Sequence, residues 1–203
     1  MTAAPAGRKP ATSSSDISFV TTVVPSVFQP AAASAVPAVA QPRWQPPEHG
    51  RMKCNVDEAF SSQRNKMGVD ICIHDKDGVF ILARTVTFSD VYPVDIGEAL
   101  SLYHTLQWVN DMHLDNIYFE VDSKTTKDAL YSGREDITEF GNIIEASRSL
   151  LSSKFTNSRV EFVRRQANVV THTLAGETTF LASHTIYFHI LSCIETLITN
   201  EML

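Results

Sequence analysis

Three carboxylates stand where chemistry could use them: Asp57 ending "MKCNVD", Glu98 within "VDIGEAL" and Asp122 ending "NIYFEVD". Ile117, Tyr118, Phe119 and Val121 form the β-branched and aromatic run of a buried strand, yet Glu120 and Asp122 interrupt and end it. An acid at the carboxyl end of a central parallel strand is a favoured ligand position. It is equally a good acceptor for the free N–H groups of a helix start. Both readings stay open from the residues alone. Asp57 can simply end a strand, Glu98 follows Asp95 at the spacing of a capping arrangement, and Asp122 with Ser123 can cap "SKTTKDAL".

The elements that would position these acids follow from periodicity. In "MKCNVDEAF", Met52, Cys54 and Val56 alternate with Lys53, Asn55 and Asp57, the period of two of a strand. "VDICIHD" and "VFILART" flank "DKDG", which reads as a β-hairpin. "DKDG" lacks the glycine, third oxygen and distal glutamate of an EF-hand, so calcium is not indicated. "VDIGEALSLYHTLQWVNDM" carries Ile96, Ala99, Leu100, Tyr103 and Leu106 at helical spacing, with Asp95 as the expected cap. "NIYFEVDS" is a fourth strand, and the strand, helix, strand succession predicts a parallel crossover beside the first. "KTTKDALYS" and "DITEFGNIIEASRSLLSS" supply helices, the second with Ile137, Phe140, Ile143, Ile144 and Leu151 on one side. "RVEFVRR" is a fifth strand, and "QANVVTHTLAGETTFLA" opens a last helix capped by Asn168. The expected fold is α/β: a five-stranded mixed sheet, three antiparallel strands then two parallel, flanked by helices.

Composition bounds the rest. A chain of 203 residues, 43% hydrophobic, is expected to form one core. Net charge of -6 argues against gripping nucleic acid by bulk charge, so any such contact is local. Cys54, Cys72 and Cys193 form no CxxC pair and suggest neither a disulfide framework nor a zinc ribbon, which fits a reducing, intracellular setting, cytoplasm or nucleus. No stretch has the roughly 18 to 20 apolar residues of a membrane span. Residues 1–46 are rich in Ala, Pro and Ser and read as a disordered tail or a transit-like segment that would allow organelle import. The domain is expected over 47–203, with a core at about 51–183 and a C-terminal tail over 184–203.

On those elements and in that order, "NVDEAF", "GEAL", "FEVDSK" and "RRQANVVTHTLA" resemble the type 1 ribonuclease H domain, in the form common in plant retroelement-derived, reverse-transcriptase-like proteins. "WQPPEHGRMKCNVD" is similar to the lead-in of that group and "CIETLITNEML" to its tail, so the resemblance covers about residues 44–203. It implies a ribonuclease H-like fold and an endoribonuclease that cleaves the RNA strand of RNA/DNA hybrids. It also implies two Mg²⁺ ions, for which Mn²⁺ can substitute, held by Asp57, Glu98 and Asp122. Hydrolysis of a phosphodiester needs an activated water and a stabilised leaving oxygen, and two hard cations about 4 Å apart do both.

His172 stands where bacterial relatives carry an aspartate and is the fourth catalytic candidate, to ligate loosely or shuttle a proton. Asn168, one helical turn before it, with Asn55 and Ser123, completes the expected substrate-binding set. Glu120 is left outside the site. The expected partner is an RNA/DNA hybrid, with no membrane, and a monomer is the expected state. Two departures from the family pattern support an alternative, a catalytically impaired, domesticated module that binds nucleic acid or protein. Glu58 replaces the usual glycine after the aspartate, and "NKMGVD" keeps Gly68 alone.

Overall fold

The computed structural model describes residues 45–181 and 183–189. The tail read over 1–46, apart from its last two residues, and positions 190–203 lie outside the described residues.

The alternation in "MKCNVDEAF" becomes strand β1, Met52–Ser61, which pairs antiparallel with β2, Lys66–His74, and β2 in turn with β3, Phe80–Phe88. The "DKDG" turn is closed locally: Asp75 Oδ1 accepts the N–H groups of Asp77 and Val79 at 2.9 and 2.8 Å, and Gly78 takes φ of +81°. Glycine adopts that left-handed conformation at no steric cost.

Helix α1, Val94–Asp111, then crosses over to β4, Ile117–Val121, which lies parallel to β1. Helices α2, Lys124–Tyr131, and α3, Glu139–Lys154, lead to β5, Arg159–Phe162, parallel to β4. A short 3-10 turn, Arg165–Ala167, leads into α4, Val169–Thr178. The sheet has six strands among the described residues rather than five, in the order β5-β4-β1-β2-β3-β6. The sixth, β6, is Thr185–Tyr187, pairing with the free edge of β3 inside what reads in sequence as a tail. Three residues carry too little alternation to announce a strand; the open edge of β3 supplies the partner.

The even positions of β1 enter the larger core, where Cys54 and Val56 join Leu102 and Leu106 of α1 with Phe119 of β4. The odd positions face the side covered by α4, which packs on β1 and β2. There Gly68 permits close approach: a Cβ would sit 2.8 Å from Thr178 Cγ2 and 2.9 Å from its Cβ. The lone glycine of "NKMGVD" thus seats α4 on the sheet.

Three local expectations are corrected. Asp95 makes no cap: Pro93 is the N-cap of α1, without a side-chain hydrogen bond. Proline cannot donate a backbone N–H, and its fixed φ suits a helix start. The buried stripe of α1 includes Leu102, Trp108 and Val109 but not Tyr103, because α1 packs on both the sheet and α3. Ile137 precedes α3 and is 94% exposed, since Thr138 caps the helix after it. Among the described residues no helix is long and apolar enough to cross a membrane.

Candidate active site

Parallel pairing of β1 with β4 ends at Val56 opposite Val121. Beyond that point β1 continues against β2 alone, while the chain after β4 turns away into α2, capped by the Ser123 hydroxyl on Thr126 N–H at 3.2 Å. Asp57 and Glu58 therefore flank a notch with Asp122 on its other side. Neighbouring strand residues point to opposite faces. Here they reach one site because β4 has stopped.

Asp57, Glu58 and Asp122 each offer a carboxylate oxygen, and these oxygens lie within 4.8 Å of one another. All three are nearly inaccessible: Asp57 is 0% exposed, Glu58 4% and the Asp122 side chain 5%. Asp57 Oδ2 lies 2.7 Å from His172 Nδ1, and Asp122 Oδ2 accepts from Arg165 Nε at 2.8 Å. The remaining oxygens, Asp57 Oδ1 and Asp122 Oδ1, are buried with no hydrogen-bond partner among the described residues.

Glu98 reaches the cluster from α1 and shares a hydrogen bond with Glu58. Burial, then the neighbouring Glu98 and both aspartates, push Glu58 up to about 10. Burial and Asp122 push Glu98 up to about 7, and the two carboxyls share a proton. Burial and Asp122 push Asp57 up to about 6 against the lowering influence of His172 and Arg165. Asp70, opposite Asp57 on β2, is raised by burial despite accepting from Thr178 Oγ1 at 2.7 Å. Carboxyls crowded away from water favour their neutral forms.

The expected residues thus divide. Asp57, Asp122, Glu98 and His172 come together. Asn168 is adjacent but internally committed: its Nδ2 donates to Val56 O at 3.0 Å and its Oδ1 accepts the Thr171 hydroxyl. Asn55 lies further down β1, donating to Glu120 Oε2 at 2.7 Å while Lys53 Nζ meets Glu120 Oε1 at 2.7 Å. Glu120 is therefore bound up in a buried cross-strand ion pair. Glu58 is the member that sequence reasoning set outside the site, as a departure from the usual glycine after the aspartate. The one available signal was its place beside Asp57 where β1 outlasts β4.

The donor set fits a divalent cation. All of its atoms are carboxylate oxygens, which suit hard ions, and two buried ones have nothing to bind. Oxygens around an octahedral Mg²⁺ lie about 3 to 4 Å apart, so little closure is needed.

A family model described as reverse transcriptase-like matches residues 55–178. No curated protein matches the sequence. Among solved structures, the chain is similar to RNase H1 of the halophilic archaeon Halobacterium salinarum NRC-1, with TM-score 0.56 and 21% identity over 64% of this chain and 97% of that one. It is similar to an N-terminal RNase H domain from Mycobacterium tuberculosis, solved fused to maltose-binding protein, with TM-score 0.55 and 14% identity over 64% and 94% of the two chains. LC11-RNase H1, isolated from compost and solved in complex with an RNA/DNA hybrid, gives TM-score 0.55 and 10% identity over 63% and 95%. At these identities the shared property is the ribonuclease H-like fold.

Proposed function

Because the chain belongs to the reverse transcriptase-like family, we propose that it is an endoribonuclease that cleaves the RNA strand of RNA/DNA hybrids with two Mg²⁺ ions, for which Mn²⁺ can substitute. One observation carries the reading: where the parallel pairing of β1 with β4 ends, Asp57 and Asp122 bury carboxylates that each keep one oxygen without a partner among the described residues. Burying a carboxylate oxygen that no donor satisfies is costly, so such a pair is poor as mere structure. The hybrid bound by LC11-RNase H1 supports the same class of substrate for this fold.

Asp57 and Asp122, with Glu58 and Glu98 beside them, would hold the metal. When bound, it would supply an activated water and charge stabilisation at the leaving oxygen. The chain's own residues do the positioning. His172 fixes one oxygen of Asp57 from α4, and its ring remains 47% exposed, open to take or deliver a proton at the substrate side. Asn168 ties the start of α4 to the backbone carbonyl just before Asp57, keeping His172 in register with it. Arg165, 54% exposed while paired to Asp122, with Arg164, Lys124 and Lys127, offers local positive charge to phosphates. RNA is distinguished by its 2′-hydroxyls.

A second reading, a catalytically impaired module that keeps the fold and binds nucleic acid or protein, is favoured by one feature. Glu58 adds a fourth carboxyl to the cluster while Arg165 occupies Asp122. The deciding experiment is cleavage of a labelled RNA/DNA hybrid with Mg²⁺ or Mn²⁺ by the wild type and by Asp122→Asn. Cleavage by the wild type alone supports the enzyme. No cleavage by a folded wild type leaves the binding module.

A further inference from the structure

The geometry points to Glu58 as the third oxygen ligand of the cation in this chain, with Glu98 as the outer carboxyl that orients it. The inference rests on the hydrolytic reading of the same site and names what is particular to this chain within it.

Four observations converge. The oxygens that approach one another within 4.8 Å come from Asp57, Glu58 and Asp122, and Glu98 is not in that group. His172 and Arg165 already take Oδ2 of the two aspartates, leaving their buried Oδ1 atoms unpartnered, and Glu58 is the further carboxyl within reach of both residues. Glu58 also starts from the more rigid base. It lies within the β1–β2 ladder opposite Val69, and it is 4% exposed with no ion pair among the described residues, whereas Glu98 is half-buried on a helix. Glu98 shares a hydrogen bond with Glu58, so with Glu58 ionised on the cation Glu98 would keep the shared proton, donate to Glu58 and fix its orientation as an outer carboxyl.

The competing account makes Glu58 a plug that merely fills the notch. The two differ in what replacing its carboxyl by an amide does to metal affinity. We would titrate Mn²⁺ into the full-length wild type, Glu58→Gln, Glu98→Gln and Glu58→Gly, following free Mn²⁺ by electron paramagnetic resonance. Metal-free thermal melts and circular dichroism would establish folding. As a ligand, Glu58 gives about a 100-fold loss of affinity in E58Q and in E58G, against about tenfold in E98Q, the size of losing an outer-shell partner. Wild-type affinity in E58Q, a larger loss in E98Q than in E58Q, tighter binding in E58G, or no Mn²⁺ binding by the wild type each overturns the assignment. If E58Q does not fold, Glu58→Asp, which keeps the charge, is compared with E58G, and equal affinities overturn it.

Hybrid cleavage by the wild type is read separately. Mn²⁺ loss in E58Q alongside a wild type that does not cleave keeps the ligand and removes the nuclease. A cleaving wild type with unchanged E58Q affinity does the reverse.

Discussion

His172 Nδ1 lies 2.7 Å from Asp57 Oδ2, so the first turn of α4 is fastened to the middle of β1, just past the last residue paired with β4. That bond bears on the pH response of the site. Asp57, pushed up to about 6 by burial and Asp122, is held from rising further by His172. His172→Ala removes the restraint, raising the Asp57 pKa and leaving less carboxylate at mildly acidic pH. Hybrid cleavage by H172A should therefore fall more at pH 6 than at pH 8, moving the acid limb of the pH–rate profile upward. An unshifted limb would remove Asp57 as the titrating group.

The raised acids also make stability depend on pH in a defined direction. Asp57, Glu58, Glu98 and Asp70 all bind protons more tightly folded than unfolded. Their stabilisation is present at low pH and is lost as pH rises through the folded values. Burial and Lys53 lower His74 to about 4, which costs stability only below its unfolded value near 6.5. Between pH 6.5 and 8.5 the acids dominate. Without metal, urea midpoints should decline with pH, the unfolding free energy falling by up to about 1.4 kcal/mol per pH unit from Glu58 alone. Glu58→Gln should flatten that slope, and saturating Mg²⁺ should raise the midpoint most at pH 8.5.

Asn168 clamps α4 to β1 through Val56 O and is 2% exposed. Asn168→Ala leaves that buried carbonyl unsatisfied, at a cost of about 1–3 kcal/mol. For a domain of this size that is a fall of roughly 2–4 °C in Tm per kcal/mol. Since Asp57 follows Val56 directly, Mn²⁺ affinity should weaken too. A full-strength site in N168A would limit the clamp to a stability role.

Lys53 and Glu120 form a buried pair, 5% and 6% exposed, on neighbouring strands. Lys53→Met strands the carboxylate and should cost about 3–5 kcal/mol, whereas Lys53→Met with Glu120→Leu should recover most of it. Denaturant midpoints of both variants test the coupling. Equal losses would mean that the pair is not what Glu120 relies on.

Much of this architecture is legible in short stretches. The alternation of Cys54 and Val56 with Lys53, Asn55 and Asp57 announces β1 and its two faces, because side-chain direction along a strand is a local property. The same holds for the hairpin around "DKDG", for Ser123 before α2 and for the parallel return to β4. Strand β6 was not legible, since three residues become a strand only where β3 leaves an open edge. Nor was the commitment of Asn55 and Glu120 to each other, because it depends on the register that sets those positions opposite across β1 and β4.

Glu58 marks the boundary most sharply. By itself the sequence determined which acids exist, which strand or helix carries each, and that strands one and four run in parallel. Only the tertiary structure decided that β4 stops at Val121 while β1 runs on to Ser61. Period two sends Asp57 and Glu58 to opposite faces. The missing neighbour beyond Val56 lets both reach Asp122, and the point at which a strand pairing stops is a long-range property that no local pattern encodes.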